Sequence, residues 1–108
     1  MSEFKAWNQK SHAKDWLLFP QNIGLRLSLD ETAFSNGDLY TIITNKDAKG
    51  KKNAIIAMIK GTKAEVVIKI LHKIPLKYRK KVKEVTLDMA GNMGLIVRKS
   101  FPNATLVI

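Results

Sequence analysis

Leu27-Ser28-Leu29-Asp30 and Val85-Thr86-Leu87-Asp88 spell one pattern twice: an apolar residue, a hydroxyl residue, a leucine and an aspartate. Successive side chains of a β-strand point to opposite faces. Leu27 and Leu29 then share one face, as do Val85 and Leu87, while Ser28, Asp30, Thr86 and Asp88 stand on the other. If the two strands are parallel neighbours, both carboxylates emerge together near the strands' carboxyl ends, about 4.8 Å apart. Carboxylates that close repel unless a cation or a proton lies between them. With nothing softer than oxygen at hand, Mg²⁺ or Mn²⁺ is the natural occupant. An aspartate also ends strands for a plainer reason, because it favours turns and helix N-caps. Only the repetition lifts this pair above that reading.

A chain of 108 residues suits one domain with one core. No stretch is long and apolar enough to span a membrane, and Met1-Ser2-Glu3-Phe4 does not open a secretory signal. There is no cysteine, which removes disulfides and thiolate metal sites and fits a cytoplasmic protein. His12 and His72 are too far apart in sequence to suggest a histidine-based zinc site. The net charge of +10 points to a polyanionic partner, with nucleic acid first and an anionic membrane surface second. A soluble, lysine-rich surface would carry the same charge, so its placement in Lys46 to Lys52 and in Lys77 to Lys83 matters more than its sum.

Around the two repeats the chain reads as follows. Residues 1–20 are a helical or irregular lead-in, with Trp7 and Trp16 more suited to pinning it on a core than to stacking on bases. Leu25 to Phe34 alternates as a first strand, and Asn36-Gly37 suits a tight hairpin into a second, Leu39 to Asn45. Lys46 to Lys52 is a polar, flexible, basic loop. Asn53 to Lys60 is a third strand, apolar on both faces and hence covered on both. After Gly61, Thr62 and Glu65 form a capping box, and Val66, Val67, Ile70, Leu71 and Ile74 recur at helical spacing. Pro75 to Lys81 makes a short basic helical turn. Lys83 to Met89 is the fourth strand, a helix opening at Gly91-Asn92 carries Met93, Ile96, Val97 and Phe101, and Ala104 to Ile108 is a fifth strand at which the chain looks cut. A three-strand meander followed by crossover helices predicts an α/β (α+β) fold with helices on the faces of a mixed five-stranded sheet, in order 3-2-1-4-5.

Four segments together resemble a known family: Leu27 to Phe34, Tyr40 to Lys46, Lys83 to Ala90 and Phe101 to Ala104. They look like the bacterial insertion-sequence DDE transposases of the ISL-three group, in matching order over residues 20–108. The resemblance implies a ribonuclease H-like catalytic domain over residues 21–108, truncated after the fifth strand. It makes Asp30 the first catalytic acid and Asp88 the second, both metal ligands, with Glu31 a secondary candidate on the opposite face. The third acid lies on a later helix in the family, so these residues alone are expected to be inactive. Implied partners are insertion-sequence ends and target DNA, with room for a homo-oligomer in the full-length protein. The implied chemistry is phosphoryl transfer, strand cleavage and strand transfer, with two ions about 3.5–4 Å apart flanking an in-line displacement. Lys46, Lys49, Lys51, Lys52, Lys77, Arg79 and Lys80 are candidates for contacting the DNA backbone.

Two other classes fit parts of the pattern. In a non-catalytic, basic nucleic-acid-binding domain the aspartates would merely cap. A phosphoacceptor signalling domain also gathers aspartates at strand ends with Mg²⁺, but it places a helix directly after the first strand, where Asn36-Gly37 argues for a hairpin.

Overall fold

The computed structural model describes residues 15–33, 37–48, 51, 53–87 and 93–108. The elements run β1 (Trp16–Leu18), β2 (Arg26–Ala33), β3 (Leu39–Asn45), β4 (Ile55–Lys60), α1 (Ala64–Leu71), α2 (Leu76–Arg79), β5 (Glu84–Leu87), α3 (Met93–Ser100) and β6 (Thr105–Val107). Single 3-10 turns occupy Pro20–Asn22 and Lys46–Ala48. The strands form one sheet of six in the order β1-β4-β3-β2-β5-β6.

Six strands replace the five expected, and the order 3-2-1-4-5, here β4-β3-β2-β5-β6, is extended by one strand at its edge. The addition is β1, which lies antiparallel to β4 with Trp16 opposite Ile59 and Leu18 opposite Ala57. Trp16 to Leu18 falls in the expected lead-in because three residues carry no periodicity of their own. Backbone bonds from Phe19 N to Ile56 O (2.7 Å) and from Lys60 N to Asp15 O (2.8 Å) tie the segment down, and Trp16 packs on the core.

The core forms where the leucine–valine repeats meet. Leu27, Leu29, Ile43 and Val85 are wholly buried and Leu87 nearly so, packed under Val67 and Leu71 of α1 and Ile96 and Val97 of α3. Each such side chain contributes about 1.5–3 kcal/mol by leaving water. All the described helices lie on this one face of the sheet, where the sequence predicted helices on both. β4 nonetheless buries side chains in both directions. A bulge between Ile43 and Thr44 of the partner register puts Ile56 and Ala57 together into the main core. Met58 turns the other way into a small cluster with Tyr40, Leu17 and Ile42.

The helices begin and end differently from the sequence reading. Lys63, not Thr62, is the N-cap of α1, and no side chain bonds the first amides, so the capping box does not form. Gly61 is the physical reason. Its φ of +103° is open to glycine at little cost, and its amide donates to Leu39 O while its carbonyl accepts from Thr41 Oγ1. The chain thus stays attached to the sheet for longer, and the helix starts one residue late. The buried stripe of α1 is Ala64, Val67 and Leu71, continued by Ile74, while Val66 faces solvent.

At the far ends of the helices, side chains satisfy the carbonyls that a helix leaves over. Arg79 is buried, donating from Nε to Ile74 O (2.9 Å) and from Nη1 to Ser100 O (3.0 Å). Burial holds its pKa below the ordinary guanidinium value. His72 Nε2 donates to Lys99 O (3.0 Å), and Asn103 Nδ2 to Lys80 O (2.9 Å). Cations at helix C-termini also complement the helix dipole. Ser100 Oγ, by contrast, is buried without a hydrogen-bond partner among the described residues. Replacing Arg79 by Met should therefore lower stability by about 2–4 kcal/mol, since two buried carbonyls lose their donors. Ser100→Ala should cost nothing or stabilise slightly, and urea unfolding of the two variants measures both.

Candidate functional site

The site is built on the parallel pairing of β2 with β5. Arg26 lies opposite Glu84, Leu27 opposite Val85, Ser28 opposite Thr86 and Leu29 opposite Leu87. Since the leucine–valine rows point into the core, Arg26, Ser28, Asp30, Glu84 and Thr86 all stand on the opposite face, free of any described helix. On the other side of β2, Ser28 meets Thr44 and Asp30 meets Ile42 of β3. A hydroxyl row, Thr44–Ser28–Thr86, therefore crosses three strands one step below Asp30.

The Asp30 side chain is exposed and makes no hydrogen bond or ion pair with the described residues. Asp88 lies outside the described residues, as do Lys49 and Lys52. It directly follows Leu87, the last residue of β5 and the partner of Leu29. Glu31 faces the helix side, opposite Thr41, as strand alternation requires. Among the described residues no group of three or more His, Cys, Asp or Glu side chains could hold a metal ion. In kind, Asp30 suits a hard divalent cation, being an accessible oxygen donor among hydroxyls; in number, one carboxylate falls short of a ligand set.

The basic candidates separate into different roles. Lys46 is not part of a flexible loop. It opens the 3-10 turn after β3, and its ammonium reaches across the helix-free face to β5, at 3.0 Å from Thr86 Oγ1 and 3.3 Å from Glu84 Oε2. Beside it Arg26 donates from Nε (3.1 Å) and Nη2 (2.5 Å) to Asp47 Oδ1. Lys51, Lys77 and Lys80 are exposed. Lys77 and Lys80 sit with α2, next to the N-terminal end of β5, and Lys77 Nζ lies 5.3 Å from the Tyr78 ring centroid. Asp30 lies four residues along β2 from the Arg26–Glu84 level, about 13 Å away. Arg79, by contrast, is buried and turned inward, with Nε and Nη1 on internal carbonyls. Sequence reasoning has no signal for that: a buried arginine and an exposed one look alike in a basic run. It also missed Arg26, Asp47, Glu84 and Thr86 around Lys46, although strand alternation already set Thr86 and Ser28 on the Asp30 face.

A family model described as a transposase, that of the ISL-three DDE group, matches residues 27–108. Neither the curated proteins nor the solved structures give a significant match.

The Arg26 guanidinium holds the Asp47 carboxyl below its ordinary value, and Asp47 in turn raises Arg26. Because the folded pKa of Asp47 is the depressed one, the pair supports folding above the unfolded carboxyl pKa and loses that support as pH falls through the folded value. Side-chain NMR titration should show Asp47 titrating at lower pH than a free aspartate, and Arg26→Gln should return it toward the ordinary range.

Proposed function

Because the chain belongs to the transposase family of ISL-three-group DDE enzymes, with the family match spanning residues 27–108, we propose that it contributes Asp30 and Asp88 to an active site that works on DNA and needs a third acid to be complete. The reading is supported above all by one observation: Asp30 stands exposed on the helix-free face, one residue beyond the parallel pairing of β2 with β5. Asp88 follows the equivalent position of β5 and is the second acid in this reading. The domain is ribonuclease H-like over residues 21–108, with β1 lending it an edge strand.

The reaction is phosphoryl transfer at insertion-sequence ends, both strand cleavage and strand transfer. Mg²⁺ or Mn²⁺, when bound, would supply the Lewis acidity for attack by water or a 3′ hydroxyl and for departure of the leaving oxygen. What the chain itself contributes is placement. Asp30 is carried on a strand paired to β3 from Leu27 to Ala33, and the Thr44–Ser28–Thr86 hydroxyls beside it offer neutral donors to phosphate oxygens. Lys46, Lys49, Lys51 and Lys52, with Lys77 and Lys80 further off, supply sequence-independent attraction for the DNA backbone. Arg79 is withdrawn from that set. No described helix is long and apolar enough to cross a membrane.

The net charge of +10 also suits the second reading, a basic module that binds nucleic acid without cutting it. The β2–β3 hairpin pairing, Leu27 with Asn45 through Ala33 with Leu39, leaves no room for the helix that a phosphoacceptor domain would place there. Titrating the ¹⁵N-labelled chain with Mg²⁺ separates the first two. Saturable amide shifts should centre on Asp30 and Asp88 and vanish in Asp30→Asn. Shifts confined to other residues would end the site assignment, and an Asp30→Asn, Asp88→Asn variant that merely gained DNA affinity would favour the binding module.

A further inference from the structure

The helix-free face carries two cations that are each held by an acid, and both stand on the strand row that leads to Asp30. Arg26, Ser28 and Asp30 follow one another along this face of β2 at about 6.6 Å intervals. Lys46 joins the row from β3, anchored on Thr86, the direct partner of Ser28. Glu84 faces Lys46 and Asp47 faces Arg26. The four charges of these two pairs sum to zero, so the pairs as they stand offer no net attraction to an anion.

Neither pair is sealed. The side chains of Lys46 and Glu84 retain 35% and 29% exposure, and those of Arg26 and Asp47 50% and 49%. Ion pairs that accessible are worth little in water, so a stronger anion can displace the acid. An ammonium has three donors, of which Thr86 Oγ1 and Glu84 take two. A guanidinium has five, and Asp47 takes two from the same side. The row from Arg26 to Asp30 is about 13 Å long, enough to meet more than one phosphate of a DNA strand.

We propose that Arg26 and Lys46, with the Ser28 and Thr86 hydroxyls, form a phosphodiester-binding row that guides one DNA strand to Asp30, and that Asp47 and Glu84 occupy its cations until DNA displaces them. The inference rests on the functional reading above and adds to it a path and a gate. Glu84 is an inhibitor of DNA binding in this arrangement, and its removal strengthens the complex.

The test uses the 108-residue chain and a duplex oligonucleotide of arbitrary sequence in EDTA, followed by fluorescence anisotropy over a range of salt. Metal binding at Asp30 does not enter, so the outcome is independent of the Mg²⁺ titration. Glu84→Gln should raise affinity about three- to tenfold, and Lys46→Gln should lower it by a similar factor and reduce the salt slope by about one. Glu65→Gln and Lys69→Gln make the same charge changes on α1, on the other face of the sheet, and should have clearly smaller effects. Should Lys46→Gln fail to fold by circular dichroism, Asp47→Asn takes its place and should raise affinity as Glu84→Gln does. Equal effects at the α1 positions, or no gain from Glu84→Gln, would overturn the row while leaving the Asp30 assignment standing. Absence of DNA binding at low salt would remove both the row and the DNA-binding role.

Discussion

The register between β2 and β5 is the constraint on which the rest depends. Leu27, Leu29, Val85 and Leu87 meet on one face and are driven there by burial. Because side chains alternate with a period of two, a slip of one residue by either strand would turn its two core residues out to water and bring Ser28 and Asp30, or Thr86, into the core. Burial therefore does two jobs with one set of contacts. It holds the parallel pair together, and it fixes which way the aspartate faces. The functional side of the sheet is specified by the leucines and the valine beneath it, none of which could touch a substrate.

That is also why so much of the site was legible. Two short repeats, read with strand alternation, place Asp30 with Ser28 and Thr86 opposite the core, and β2 and β3 pair antiparallel as a hairpin between them requires. What escaped the reading was context that no local pattern encodes. β1 is three residues long and exists only because β4 has a free edge to lend it. The cap of α1 moved because Gly61 is bonded to Thr41 and Leu39, far away in sequence. Arg79 sits in a run with Lys77, Lys80 and Lys81, yet it alone folds inward, since Ile74 O and Ser100 O lie within its reach.

Positive charge is consequently not one property in this chain but several. Arg79 is a fastener between the ends of the helices. Lys73 and Lys77 lie near aromatic rings, 5.4 Å from that of Trp16 and 5.3 Å from that of Tyr78. Lys46 and Arg26 are held by acids on the face that bears Asp30. A bulk figure of +10 therefore overstates the attraction available at that face and understates the part that charge plays in the architecture.

The position of Asp30 along β2 has a consequence for how firmly it is held. From Leu27 to Leu29 the strand is laced to β3 on one flank and to β5 on the other, and its pairing with β3 runs on through Ala33. The carboxylate thus projects immediately beyond a stretch anchored on both sides, with its own backbone still paired to β3. A carboxylate so placed has a rigid foundation: its direction is set by the sheet and not by a loop.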